Sequence, residues 1–209
     1  MSLYNQFLSY IKSEDFDAAE SLLASDIFDV EDQMDLLTDE DYKVLEPHWS
    51  AVNTGEDITT PLFILKKIYD FVGFKNHSTV IDLGSGHGHP GILFSSLNNN
   101  LKILGYDIVL EKVNGANTSA KKLGLNNVRF EIKDLSDKSF AIPEADYYYL
   151  YNPVNAEVAD IIAEKLLKIA KKKEIQILSL AGRDIKSFKS VGFSKKRELS
   201  EIGFEILSL

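Results

Sequence analysis

The chain has no cysteine in 209 residues. That excludes disulfides, thiolate metal sites and cysteine nucleophiles, and it suits a reducing compartment. No apolar run approaches the roughly 20 residues that a membrane helix needs. The opening stretch, MSLYNQFLSYIKSEDF, lacks the basic flank of a signal peptide and the arginines of a transit peptide. The expectation is a soluble, cytoplasmic protein with no membrane partner. Positive charge is scarce in one region: residues 1–60 hold 15 Asp+Glu against 2 Lys, a net of −13. Residues 61–209 hold 17 Asp+Glu against 21 Lys+Arg, a net of +4, which completes the −9 of the whole chain. An acidic chain is a poor general binder of nucleic acid, because affinity there rests on neutralising phosphates. A nucleic-acid partner is therefore not expected. The acidic helices are read as a solvated surface, with docking of a basic partner as the sharper alternative.

Apolar content of 44% and charged content of 26% describe a globular chain, long enough for one full domain and a small extension. Residues 1–50 read as an acidic helical extension, with Leu3, Phe7, Leu8 and Ile11 at helix spacing and Ala18, Leu22 and Leu23 following. Residues 51–209 read as the main domain. Thr60 and Pro61 suit the N-cap and first position of a helix whose apolar face is Leu62, Ile64, Leu65, Ile68, Phe71 and Val72. Strand–helix alternation follows. Strands are expected at Thr79–Leu83, Leu101–Tyr106, Val128–Lys133, Tyr147–Tyr151 and Ile175–Leu180, and helices at Gly91–Leu97, Leu110–Leu123 and Ala156–Lys172. The tail reads as two strands around a turn near Gly203. Repeated βα units predict a mostly parallel sheet covered on both faces, with ligands at the carboxyl ends of its strands.

The stretch VIDLGSGHGHPG, Val80–Gly91, is a glycine loop between a strand and a helix. A phosphate-binding P-loop needs Lys and then Ser or Thr after its last glycine; here Ile92 and Leu93 follow Gly91. A dinucleotide fingerprint, G-x-G-x-x-G, fits only from Gly86, two residues too late after the strand. Asp82 stands where a carboxylate would oppose a pyrophosphate and favour an ammonium or sulfonium. Asp107 ends the second strand, 23 residues after Gly84, about where an acid reaches ribose hydroxyls. Asp134 ends the third. Any one of these acids could simply cap a turn; three at one sheet edge beside the loop point to a ligand.

VIDLGSGHG, GYD and IKD resemble the first three motifs of class I S-adenosylmethionine-dependent methyltransferases, and YLYNP, Tyr149–Pro153, resembles the fourth. The resemblance spans about residues 58–209. It implies a Rossmann-like, doubly wound, mostly parallel seven-stranded sheet with a C-terminal antiparallel strand, and S-adenosyl-L-methionine as cofactor. It implies cofactor contacts at Asp82 (amino group), at Gly84, Ser85, Gly86, His87 and Gly88 (methionine part), at Asp107 and Ile108 (ribose side), and at Asp134 and Leu135 (adenine). Thr60 is left with two roles, helix cap or contact with the cofactor carboxylate, and the cap is favoured. Asn152 and Pro153 are the candidate catalytic residues, their carbonyls aiming the lone pair of an amine at the methyl group. The wording is similar to non-SET protein-lysine methyltransferases, so the implied acceptor is a nitrogen, with protein as the candidate. His87 replaces the subgroup's usual Lys, and Val154 its usual Phe. Two other readings stay open: a nicotinamide-dependent oxidoreductase using the shifted glycine pattern, and a binding module without turnover. His87 and His89 form an H-x-H pair, but no third metal ligand is visible and no metal is expected. Tyr151 is the tyrosine suspected at the pocket wall.

Overall fold

A computed structural model gives the structure of the chain and describes residues 1–24, 59–151, 154–180, 182 and 185–209. The helices expected between residues 25 and 50, and Trp49, lie outside the described residues. Two N-terminal helices, α1 (Leu3–Lys12) and α2 (Phe16–Leu22), start at Ser2 and Asp15, whose side chains accept the N–H of Asn5 and Ala18. Helix α3 (Leu62–Val72) ends where Gly73 turns left-handed at φ 64°. Then strands and helices alternate: β1 (Thr79–Leu83), α4 (His89–Leu97), β2 (Lys102–Asp107), α5 (Leu110–Lys122), β3 (Val128–Ile132), β4 (Tyr147–Leu150), α6 (Ala156–Ala170), β5 (Gln176–Leu180), α7 (Ile185–Ser190), β6 (Ser194–Leu199) and β7 (Phe204–Ser208).

The strands form one seven-stranded sheet in the order β3-β2-β1-β4-β5-β7-β6. Neighbours from β3 to β5 run parallel, and β7 runs antiparallel between β5 and β6. The expected Rossmann-like, mostly parallel sheet with its antiparallel strand is present. The turn near Gly203 is a single 3₁₀ turn, Ser200–Ile202, closed by Gly203 at φ 67°. Helix α7 escaped the sequence reading because it is six residues long and mostly polar. Helix α4 starts two residues earlier than expected, since Pro90 fits its first turn, where no N–H is needed.

Alternate residues of each strand face opposite sides. Val80, Ile103, Phe130, Tyr147 and Leu178 pack with α1–α5 in one cluster, to which α1 and α2 contribute Phe7, Ile11, Ala19 and Leu22. Ile81, Leu104, Tyr148 and Ile177 pack with α6 and α7 in the other.

On the α1–α5 face, one cross-strand row runs Phe130, Gly105, Asp82, Tyr149. Gly105 has no side chain, so the Phe130 ring leans across it toward the glycine loop. A Cβ on Gly105 would lie 2.3 Å from Phe130 Cδ1 and 2.9 Å from Ser85 Cβ; one on Gly88 would lie 2.5 Å from Phe130 Cζ. Gly88 also sits at φ 82°, a conformation that side chains resist. Asn117 of α5 holds the same phenylalanine by its backbone, accepting the Phe130 N–H at 3.0 Å and donating to its carbonyl at 2.8 Å. It thereby covers part of the outer edge of β3, an edge strand of the sheet.

Overpacking of this kind costs about 1–3 kcal/mol. Gly105→Ala is expected to destabilise the fold by that amount in urea unfolding, and by clearly less in a Phe130→Leu background. Strict additivity in the double-mutant cycle would show that the ring and the glycine do not depend on each other.

Candidate functional site

The strand order reverses between β1 and β4, and the glycine loop leaves β1 there. The loop is fixed by its own backbone. The N–H groups of Gly84 and Ser85 both donate to Tyr106 O, at 2.8 and 2.9 Å, and Gly88 N–H donates to Ser85 O at 2.8 Å. Asp107 completes the tie: its Oδ2 accepts Gly86 N–H at 2.8 Å and its Oδ1 accepts Val109 N–H at 3.0 Å. Each carboxylate oxygen has a second lone pair, so these bonds leave acceptor capacity on both oxygens.

Against the loop lies a small open cleft, lined by Thr59, Thr60, Asp82, Gly84, Ser85, Gly86, His87, His89, Pro90, Tyr149 and Tyr151. Asp82 is its most distinctive wall. It is 2% exposed, and its Oδ2 has no hydrogen-bond partner. Burial, and then the nearby Asp107 charge, push its carboxyl up to about 8. Such a group either holds a proton or waits for a cation. Ser85 Oγ is likewise buried without a partner. Tyr149 shares a hydrogen bond with Thr60 at 3.3 Å. Burial raises the Tyr149 hydroxyl far above its ordinary range, so it stays neutral.

Of the residues singled out from sequence, Asp82, Gly84, Ser85, Gly86 and His87 meet in the cleft. Gly88 instead faces the Phe130 ring. Asp107, Ile108, Asp134 and Leu135 lie beyond the cleft, along the carboxyl edge of β2 and β3. Asp107 and Ile108 are half-buried. Asp134 accepts both Ser136 N–H (2.8 Å) and Ser136 O–H (2.6 Å) on one oxygen, in a local turn. The Leu135 side chain is buried in the α6–α7 cluster. Asn152 and Pro153 lie outside the described residues.

Thr60 is a correction. It does not cap α3, which begins after Pro61 with no local side-chain cap. With Pro61 extended, the helix starts one residue later than expected, and the Thr60 hydroxyl turns into the cleft. Tyr149 went unrecognised, although it shares its strand parity with the suspected Tyr151. The missing information was register, which sets it beside Asp82.

Residues 74–175 match the family model described as a methyltransferase domain. The chain is similar to ribosomal RNA small subunit methyltransferase G of Clostridium botulinum, with 36% identity over 94 residues, 42% of this chain and 39% of that protein. The same-named protein of Porphyromonas gingivalis is 41% identical over 93 residues, 41% of this chain and 42% of that protein. The chain thus spans about two fifths of the length of these relatives. Its fold is similar to that of an RNA methyltransferase from Salinibacter ruber in complex with S-adenosyl-L-homocysteine, with a TM-score of 0.54 and 21% identity over 72% of this chain and 91% of that one. A SAM-dependent methyltransferase from Aquifex aeolicus is similar with a TM-score of 0.52 and 20% identity, over 68% of this chain and 87% of that one.

The names of these relatives overturn the expectation that nucleic acid is not a partner. The physical reason lies in the charge: the expectation weighed the −9 of the whole chain above the +4 of residues 61–209, which hold the matched domain. Among the described residues, no helix is long and apolar enough to cross a membrane. Residues 74–175 thus match a methyltransferase domain, and the glycine loop and the sheet order agree with the resemblance to class I, S-adenosylmethionine-dependent methyltransferases.

Proposed function

We propose that the protein transfers a methyl group from S-adenosylmethionine to a nitrogen atom of RNA. The observation that carries the cofactor half is Asp82, a buried carboxylate with one unpartnered oxygen in the wall of the cleft. It fits the ammonium group of the cofactor and opposes a pyrophosphate, which argues against a nicotinamide dinucleotide. Gly84, Ser85 and Gly86 give that part of the ligand a wall of bare backbone and one unused hydroxyl. Asp107 stands one strand further on, where its remaining lone pairs suit ribose hydroxyls. Asp134 and Leu135, after β3, suit the adenine. His87 is a buried wall of the cleft.

The cofactor supplies a methyl carbon already activated by its sulfonium. What remains for the protein is to align a lone pair in line with that carbon and to exclude water. In the sequence Asn152 and Pro153 come just after Tyr151, which follows β4, and their carbonyls suit the task of aiming an amine. The neutral, buried Tyr149 leaves Asp82 as the acid of the inner wall. The RNA half rests on the relatives, which are RNA methyltransferases by name, and on the positive balance of residues 61–209. An RNA acceptor also agrees with the expected cytoplasmic location.

Labelled cofactor supplied with separated RNA and protein fractions of a cell extract is expected to label RNA, and nucleoside analysis to place the methyl on a ring or exocyclic nitrogen. Label confined to protein would overturn the acceptor. Asp107→Ala is expected to weaken binding of S-adenosylhomocysteine about tenfold to a hundredfold, the worth of a charge-assisted hydrogen bond, measured by calorimetry. It should also lower the melting temperature, because the Gly86 and Val109 N–H groups lose their acceptor.

Asp82 makes stability depend on pH. Its folded value of about 8 lies above the ordinary 3.8, so the folded protein holds a proton that the unfolded chain releases. The contribution is fully present below about pH 4 and is lost as the pH rises toward and through 8. Between pH 5 and 8 the wild type should lose stability relative to Asp82→Asn, and saturating S-adenosylhomocysteine should flatten the difference. Parallel stability curves for the two proteins would remove Asp82 from this role.

A further inference from the structure

Helix α3 begins without a local cap. Pro61 has no N–H, and the N–H groups of Ile64 and Leu65 both donate to Pro61 O, each at 3.0 Å. The first free donor is Leu62 N–H, and it donates to Glu20 Oε1 at 2.8 Å. Glu20 belongs to α2, 42 residues earlier in the chain. A carboxylate there also meets the positive end of the helix. Threonine is a favoured N-cap residue, and Thr60 stands close to this helix start. It does not cap; its hydroxyl is buried and bonded to Tyr149 in the cleft.

These two observations belong to one arrangement. A helix start needs an acceptor for its leading N–H groups. If α2 did not supply one, the nearest candidate would be Thr60, and capping would draw that hydroxyl out of the cleft. We propose that Glu20 is a positioning residue for the cofactor site: by capping α3 from α2, it releases Thr60 to stand with Tyr149 in the cleft wall. Tyr149 is the cross-strand neighbour of Asp82, so the wall that Glu20 supports is the one beside the buried carboxylate. The N-terminal helices are on this view a working part of the cofactor site. Their packing agrees, since Ala19 and Leu22 of α2 share a core with Leu62 and Leu65 of α3. The inference rests on the methyltransferase reading above.

The test is calorimetric binding of S-adenosylhomocysteine to the full chain, at a temperature where circular dichroism shows every variant folded. Glu20→Ala is expected to weaken binding about threefold to tenfold, the range of one neutral hydrogen bond. Glu20→Gln should stay within about twofold of wild type, because its amide oxygen can accept the same N–H. Thr60→Val should match Glu20→Ala, and the double variant should bind no worse than the weaker single one. A merely structural Glu20 would lower the melting temperature without changing affinity. That result, or losses that add in the double variant, would overturn the inference while leaving the cofactor assignment in place. A wild-type protein that does not bind the ligand would overturn the methyltransferase reading itself, and this inference with it.

Discussion

The contact between the Phe130 ring and the bare backbone of Gly105 is the constraint on which the site depends. The ring comes from an edge strand, crosses the position where β2 has no side chain, and reaches Gly88 in the loop after β1, while Ser85 comes down on the same bare position. The loop therefore rests between the sheet beneath it and the Phe130 ring, which lies against Gly88. Asn117 holds the backbone of the same residue from the other side. With the loop fixed, its Gly86 N–H meets Asp107, and Asp82 is sealed from water beneath it. A buried, unpartnered carboxylate is costly. It persists here because the packing around it leaves it no other position.

The elements were largely legible in the sequence. The five parallel strands are short runs rich in β-branched and aromatic residues, set off by glycine, asparagine and charge, and such runs speak for themselves. The glycine loop and the acids at the strand ends were legible for the same reason: their positions follow from where each strand stops. What depends on a partner far along the chain was not. Gly105 looks like any strand glycine until β3 sets Phe130 beside it. Asp107 was legible as a strand-end acid, but its tie to Gly86 and Val109 needs the fold of the loop. Thr60 carries the local wording of a helix cap, and only Glu20, brought in by α2, explains why it is not one. The partner was misjudged because the acidic total was given more weight than the positive balance of residues 61–209, which hold the matched domain.

The same facts show how the parts divide the work. The α6–α7 face is an ordinary apolar layer, from Ile81 and Leu104 to Leu166 and Phe188. The α1–α5 face carries the polar row, the loop and the cleft within an otherwise apolar core. One side of the sheet supplies rigidity and the other supplies the site, so substitutions on the two sides should differ in kind: loss of packing on one, loss of alignment on the other.

Strand β7 lies inside the sheet, yet it follows β6, which among the described residues pairs only with β7. During synthesis the outer strand therefore emerges before the strand it must rest on. Until Phe204–Ser208 slide in beside β5, the segment Ser194–Leu199 has no ladder to join. Its run of Lys195, Lys196 and Arg197 is well suited to that interval, because a charged, exposed segment stays in solution and does not pair with other chains. The order in which the polypeptide leaves the ribosome thus makes the pairing of β6 wait on β7.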